Sequence, residues 1–193
     1  MTLIRAAAVA HLSGLVGLTA DPSDPESYET YLQLVAPGEV RFRAEELSKA
    51  SDCGLVAGGL WRFLLATCPE ALRPPYKTGM ALVNLHAAAK LAGALKDGRR
   101  YDAQPGDLVH VGASWNACEH VYTVHELDAD GWLWSVDGGQ RTPAGLETIL
   151  RKRRHLAHGN DTLDNGTTRP VIEVVDLDVL GEFFGVANLG AAS

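Results

Sequence analysis

The amino-acid sequence predicts an α+β protein in which N-terminal helices pack on a small antiparallel sheet. In the first half of the chain, apolar residues recur three and four positions apart, which is the spacing of an amphipathic helix. In the second half, short runs of alternating apolar residues are separated by turn sequences such as Asp128-Ala129-Asp130-Gly131. Helices followed by a meander of strands are typical of the α+β class.

Four helices are predicted before the first strand, over residues 3–18, 26–34, 53–67 and 79–95. A further helical turn is expected over residues 44–50. The first segment has a signal-like composition, but His11 and Ser13 interrupt its apolar centre. We therefore expect a helix of the folded domain there rather than a cleaved leader.

The strands are expected over residues 107–111, 120–127, 132–137 and 171–175, each bounded by turn residues. Residues 143–154 fit a helix or a strand equally well. Residues 157–169 are rich in Gly, Asn and Thr, so we expect a mobile surface loop there. A short closing turn is expected over residues 178–184.

Composition restricts the classes of function. The chain has 193 residues, of which 46% are hydrophobic and 21% charged, as in an ordinary globular domain. Its net charge of −7 argues against a general nucleic-acid binder. No apolar run approaches the length of a membrane span, so we expect a soluble protein without a membrane partner. The basic run Arg151-Lys152-Arg153-Arg154-His155 is expected to be a solvated strand or helix face rather than an anion-binding patch.

Cys53 is the most informative candidate. The sequence contains three cysteines, an odd number that argues against a disulfide framework and leaves at least one free thiol. Cys53 follows the polar pair Ser51-Asp52 and opens an apolar helical run, so it is predicted to lie in the first turn of a helix. The positive end of the helix dipole favours the thiolate, which is the nucleophilic form of cysteine.

Two downstream residues complete a candidate catalytic set with Cys53. His120 opens a predicted strand, and Asp137 closes the next one, across a tight turn. We expect His120 to keep the thiol ionised and to protonate the leaving group, while Asp137 fixes the imidazole tautomer. Gln140 is the alternative orienting group.

Residues that bind the substrate or its oxyanion are harder to assign. The backbone N–H of Cys53 is a natural oxyanion donor, because amides at a helix start lack internal partners. Tyr28 or Tyr31 is expected to supply a second donor. Asp52 either contacts substrate or only caps the helix, and Trp115 is expected to lie in a loop near the cleft.

The order of these motifs resembles that of a known family. Asp52-Cys53-Gly54-Leu55-Val56, then Pro105-Gly106-Asp107-Leu108-Val109, then His120-Val121-Tyr122-Thr123-Val124, with Asp137 beyond, resemble the NlpC/P60 and CHAP group of papain-like cysteine peptidases over residues 50–140. The resemblance implies one papain-like cysteine hydrolase domain over residues 1–193. It also implies cleavage of amide bonds in the peptide part of bacterial peptidoglycan, and no metal or organic cofactor.

Two departures from the family leave the cleaved bond open. Gly54 stands where such proteins often have Ser, and Asp137 stands where His, Asn, Gln or Glu is common. An acyltransferase or transamidase on the same scaffold, or an inactive wall-binding or particle-structure domain, remains an alternative. Without a convincing signal peptide, an enzyme of this class would reach the wall through a phage particle or a specialised secretion system. An inhibitory immunity protein is then a further expected partner.

Cys118 is the competing nucleophile. The run Asn116-Ala117-Cys118-Glu119-His120 superficially resembles a motif of lecithin:retinol acyltransferase-like proteins, but strand-like residues follow Cys118 here, where those proteins have a helix. Cys118 and His120 share a strand face, which by itself suits a metal. A second pair of ligands does not follow, so no metal site is predicted.

Overall fold

The computed structural model describes residues 1–21, 23–35, 53–65 and 81–186. These residues contain five α-helices, which are α1 Leu3–Leu15, α2 Pro25–Val35, α3 Cys53–Leu65, α4 Ala81–Ala92 and α5 Leu177–Phe183. They also contain eight strands, which are β1 Thr19–Ala20, β2 Leu95–Asp97, β3 Leu108–Gly112, β4 Cys118–Leu127, β5 Leu133–Arg141, β6 Glu147–Ala157, β7 Asn160–Leu163 and β8 Thr168–Val175. The helical turn expected over residues 44–50 lies outside the described residues.

Six of the strands form a closed antiparallel barrel. Strands β3 to β8 pair in chain order, and β8 pairs back with β3 to close the ring. The two remaining strands lie outside the ring, β1 on β6 and β2 on β8. The prediction of a papain-like fold, with N-terminal helices packed on a small antiparallel sheet, is therefore wrong.

The closing strand, β7, explains the error. It lies within residues 157–169, where we predicted a loop, and it pairs with β6 through Leu156↔Asp161 and with β8 through Asp161↔Arg169. Strand β6 occupies most of the segment that fitted helix and strand equally well. Because β7 pairs with both β6 and β8, its four mostly polar residues close the antiparallel sheet into a barrel.

Side chains alternate between the two faces of the barrel wall. One core lies inside the barrel and is formed by Ala103, Val109, Val111, Tyr122, Val124, Leu133, Val171 and Val174. The other lies between the outer wall and the helices, where Leu108, Val121, Val136 and Ile149 pack with residues of all five helices. This second core places the start of α3 against β4 and β5.

A buried arginine joins α1 to the barrel. The Arg5 guanidinium donates to Asp107 Oδ1 at 2.6 Å and to Asp178 Oδ2 at 2.7 Å, and to the Pro105 carbonyl at 2.8 Å. The neighbouring Gly106 has a φ of +94°, and a Cβ there would lie 2.7 Å from a Leu177 methyl group. The Pro-Gly turn before β3 therefore requires glycine for its backbone conformation and for close packing.

The basic run on β6 divides between the two faces. The guanidinium of Arg151 lies 4.8 Å from the centre of the Trp134 ring, and that of Arg153 lies 4.9 Å from the Trp132 ring, on the outer face. Arg154 points into the barrel and is completely buried. The expectation of a solvated face is wrong for Arg154, because a strand that is polar on one face can still bury a charge on the other.

Within the described residues, no helix is both long and apolar enough to cross a membrane.

Candidate active site

The Cys53 thiol lies at the first residue of α3, where that helix meets the barrel wall. Only 7% of Cys53 is exposed, and the same holds for His120 at the start of β4. The thiol hydrogen-bonds to the His120 imidazole. The structure thus brings together two residues that the sequence analysis paired across 67 positions of the chain.

The second ring nitrogen of His120 faces a buried carboxylate. His120 Nε2 lies 2.7 Å from Asp137 Oδ2, and Asp137 is fully buried on β5. An ionised carboxylate only accepts hydrogen bonds, so Nε2 carries the proton in this contact. Nδ1 is then the ring nitrogen that remains for the thiol. The Cys53 thiol, the His120 imidazole and the Asp137 carboxylate are thus joined in that order by hydrogen bonds.

The electrostatics of the pair favour a protonated imidazole. Burial acts to lower the pKa of His120, but its hydrogen bonds to Asp137 and Cys53 outweigh that effect and raise the pKa. Burial acts to raise the pKa of Asp137, yet His120 and the Arg154 cation together hold it below its usual range. A protonated imidazole beside a thiol stabilises the thiolate.

Asp137 is itself held by two residues that sequence reasoning missed. The Ser135 hydroxyl donates to Asp137 Oδ1, and Arg154 Nη2 donates to Oδ2. Arg154 Nε also donates to the Ser135 hydroxyl oxygen, at 2.8 Å. Ser135 precedes Asp137 by two positions on the same strand face, a signal that was visible in the sequence. Arg154 becomes visible only once the register of β5 and β6 is known.

The charged contacts continue across the barrel. Arg154 Nη1 donates to Asp161 Oδ2 at 2.6 Å, and Arg169 Nη2 lies 3.4 Å from the same oxygen. Asp161 Oδ1 accepts from the Tyr122 hydroxyl at 3.2 Å, and the Arg154 guanidinium lies 4.0 Å from the centre of the Tyr122 ring. We call the residues Asp137, Arg154, Asp161 and Arg169 the interior charge chain.

The other predicted site residues that the structure describes have different surroundings. Gln140 donates to the Gly138 carbonyl at 3.1 Å and accepts from Lys152, so Asp137 and not Gln140 bonds to His120. Tyr28 and Tyr31 are buried on α2, with ring centres 6.0 Å apart. Asp52 lies outside the described residues. The oxyanion roles of the two tyrosines and of the Cys53 amide stay predictions.

Trp115 belongs to a polar cluster beside the proposed site. Its ring stacks on His86, with centres 3.7 Å apart, and lies edge-on to His110. Glu173 Oε1 bonds to His86 Nε2 at 3.0 Å and to His110 Nδ1 at 2.9 Å. Burial acts to raise the pKa of Glu173, but the two histidines outweigh it and lower the pKa. His110 lies in the strand that was predicted over residues 107–111, and no pattern in the sequence pointed to His86.

Cys118 occupies a different environment from Cys53. Its sulfur lies 3.4 Å from the backbone carbonyl oxygen of His120, and burial raises the pKa of its thiol. Within the described ranges, no group of three or more His, Cys, Asp and Glu side chains is arranged to hold a metal ion.

Comparison with known proteins adds no relative to this description. No protein family, no curated protein and no solved structure matches the chain significantly. The resemblance to NlpC/P60 and CHAP peptidases therefore stays a prediction from short motifs.

Proposed function

We propose that this protein is a cysteine hydrolase that cleaves amide bonds, with Cys53 as nucleophile, His120 as acid and base, and Asp137 as the residue that orients His120. The observation that carries the proposal is the contact of the Cys53 thiol with an imidazole whose other nitrogen bonds to a buried carboxylate. A nucleophile, a base and a group that orients the base are the parts that covalent acyl transfer requires.

The proposed reaction has two stages. The Cys53 thiolate attacks the amide carbonyl carbon, a C–S bond forms, and the carbonyl oxygen becomes an oxyanion near the amide of Cys53. As the oxyanion collapses, the C–N bond breaks and His120 gives its proton to the leaving amine. His120 then takes a proton from water, which attacks the thioester. The C–S bond then breaks, the carboxylic acid leaves, and the thiolate of Cys53 beside the protonated His120 is restored.

The proposed substrate is an amide in the peptide part of bacterial peptidoglycan. Its support is the order of the sequence motifs around Cys53, Asp107 and His120. Transfer of the acyl group to an amine would pass through the same thioester. Delivery by a phage particle or a specialised secretion system, and control by an immunity protein, belong to the same proposal.

Purified peptidoglycan fragments incubated with native protein and with Cys53→Ala test the proposal, with products separated by mass. Native protein should release new free amines, with each cleavage adding one water to the summed product mass, and Cys53→Ala should release none. Cys118→Ala is the matched control and should keep the activity. Ligated products would indicate transfer instead, and binding without products would indicate a binding module. Equal cleavage by Cys53→Ala would refute the proposed nucleophile.

A further inference from the structure

The interior charge chain lies directly behind the proposed base. Asp137, Arg154 and Asp161 are each 0% exposed, and they are linked by contacts from the Arg154 guanidinium to both carboxylates. The apolar residues of the inner core share the same barrel interior. Buried ion pairs contribute little net stability compared with well-packed apolar side chains. The chain of charges therefore needs an explanation other than stability.

The geometry shows what Arg154 does to Asp137. Its guanidinium contacts Asp137 Oδ2 through one nitrogen and the Ser135 hydroxyl through another, and Ser135 donates to Asp137 Oδ1. Both carboxylate oxygens are therefore fixed, and Oδ2 is left facing His120. Only a planar fork of donors makes these contacts together, so a lysine would not replace this arginine.

The charges show a second effect. Asp137 Oδ2 receives both the imidazole of His120 and the guanidinium of Arg154. The permanent Arg154 cation at that oxygen reduces the effect by which Asp137 raises the pKa of His120, because the two donors share one negative charge. Asp161 lies on the other side of Arg154 and acts in the opposite direction. The Arg154 cation and the Asp161 anion therefore act in opposite directions on the pKa values of the Cys53–His120 pair.

We propose that Arg154 is a positioning residue that fixes Asp137 against His120 and, together with Asp161, sets the pH range in which the Cys53–His120 pair is ionic. This inference rests on the proposed function. Among the described residues, the titratable groups that interact with the interior charge chain are His120 and Tyr122 of β4 and Lys152 of β6. Cys53 of α3 interacts with His120 and with Cys118 of β4.

The pH dependence of Cys53 alkylation tests the proposal. The rate with iodoacetamide, followed by peptide mass, should show two inflections that belong to the thiol–imidazole pair. Removing a cation raises the pKa of neighbouring groups, so Arg154→Met should move both inflections up by about half a pH unit or more. Asp161→Asn removes an anion and should move both inflections down.

Two further variants separate position from charge. Arg154→Lys keeps the charge but loses the fork, so the inflections should stay within about 0.3 pH unit while amide cleavage falls about tenfold or more. Arg153→Met, at the next residue but on the outer face, should change neither measurement. A purely structural role for Arg154 would lower the rates and leave the inflections in place.

Each outcome decides between the alternatives. Inflections that do not move, or that move in the same direction in Arg154→Met and Asp161→Asn, overturn the proposal. Should Arg154→Met fail to fold, Arg169→Gln removes a cation whose side chain is 22% exposed and should move the inflections up by a smaller amount. Alkylation needs no amide substrate, so a failure of the proposed hydrolase activity would be recognised separately.

Discussion

The imidazole of His120 and the carboxylate of Asp137 meet at 2.7 Å beyond the end of the ladder that joins their strands. The pairing of β4 with β5 runs from Leu127↔Leu133 to Thr123↔Val136 and stops there. Past that point the side chains of His120 and Asp137 bond to each other, and α3 packs against both strands. The proposed site therefore lies at the mouth of the barrel.

Thiol reactivity should distinguish the two described cysteines. We expect Cys53 to be alkylated before Cys118 at neutral pH, because His120 bonds to the Cys53 thiol while burial raises the pKa of the Cys118 thiol. Substoichiometric iodoacetamide followed by peptide mass mapping, which also covers Cys68, measures the order. His120→Gln should slow the labelling of Cys53 about tenfold and leave Cys118 unchanged. Faster labelling of Cys118 would move the site to that residue.

Asp137→Asn should lower the rate of amide cleavage about 100-fold or more, because the amide no longer fixes the required imidazole tautomer. The Asp137 anion raises the pKa of His120, so its loss lowers that pKa, and the upper limb of the pH–rate profile should move to lower pH. The profile of the variant measures both effects. Gln140→Ala serves as the control and should keep the activity, because Gln140 bonds to Gly138 and Lys152 and not to His120. Full activity of Asp137→Asn would contradict the role assigned to Asp137.

Two neighbouring arginines should differ in their contribution to stability. Arg154→Met leaves Asp137 and Asp161 buried without their shared cation, and we expect a loss of about 3–5 kcal/mol in the free energy of unfolding. Arg153 makes its ion pairs with Asp128 and Asp130 on the surface, where such pairs contribute little, so Arg153→Met should have a much smaller effect. Urea unfolding of both variants measures the difference. Equal losses would show that the register of β6 is wrong.

The raised pKa of His120 should appear in the pH dependence of stability. The folded state binds this proton more tightly than the unfolded chain does, in which the pKa is about 6.5. The stabilisation is therefore complete below about pH 6.5 and is lost as the pH rises through the folded-state pKa. Native protein should exceed His120→Gln in unfolding free energy by more at about pH 6 than at about pH 9.

His125 provides the matched control for that measurement. Burial lowers the pKa of His125, so its contribution to stability is present above about pH 6.5 and is lost as the pH falls. The difference between native protein and His125→Gln should accordingly grow with rising pH, opposite to the trend for His120→Gln. Parallel trends in the two variants would contradict the assigned direction for His120.

The helices and the apolar strands were predictable because each carries its own pattern. Ile4, Ala8 and Leu12 recur at helical spacing, and the segment is the helix α1, buried on that face. The four predicted strands overlap β3, β4, β5 and β8, and the first and third of them were predicted to begin one residue too early. In each case the apolar residues of the buried face recur at a regular spacing within one short segment. The element can therefore be predicted without knowing what packs against it.

Closure of the barrel was not predictable in this way. The buried residue of β7 is Asp161, so β7 has no apolar alternation that would mark it as a strand, and the cation that compensates Asp161 lies on β6. The turn between β6 and β7 is His158-Gly159, in which both residues have a positive φ. Such two-residue turns are usually signalled by Asn-Gly or Asp-Gly, and His158 gives no comparable signal.

The candidate site, like the fold, was predictable from the sequence only in part. Cys53, His120 and Asp137 were predicted as site residues from chemistry and motif order, without knowledge of the strand pairing, and the structure brings them together. Arg154 was missed because four consecutive basic residues look alike in the sequence, and only the register of β5 and β6 shows that Arg154 lies beside Ser135 and Asp137. When a charged residue is buried because it pairs with a residue on another strand, the sequence around it does not show that it is buried.

Each of the six strands in the closed barrel pairs with a neighbour on both sides. No strand can therefore leave the barrel by losing the hydrogen bonds to one neighbour alone. The strands that carry Asp137 and Arg154 would therefore separate only in an opening that costs much of the global unfolding free energy. The protonation equilibrium of the site would then persist under mild denaturing conditions until the whole ring opens.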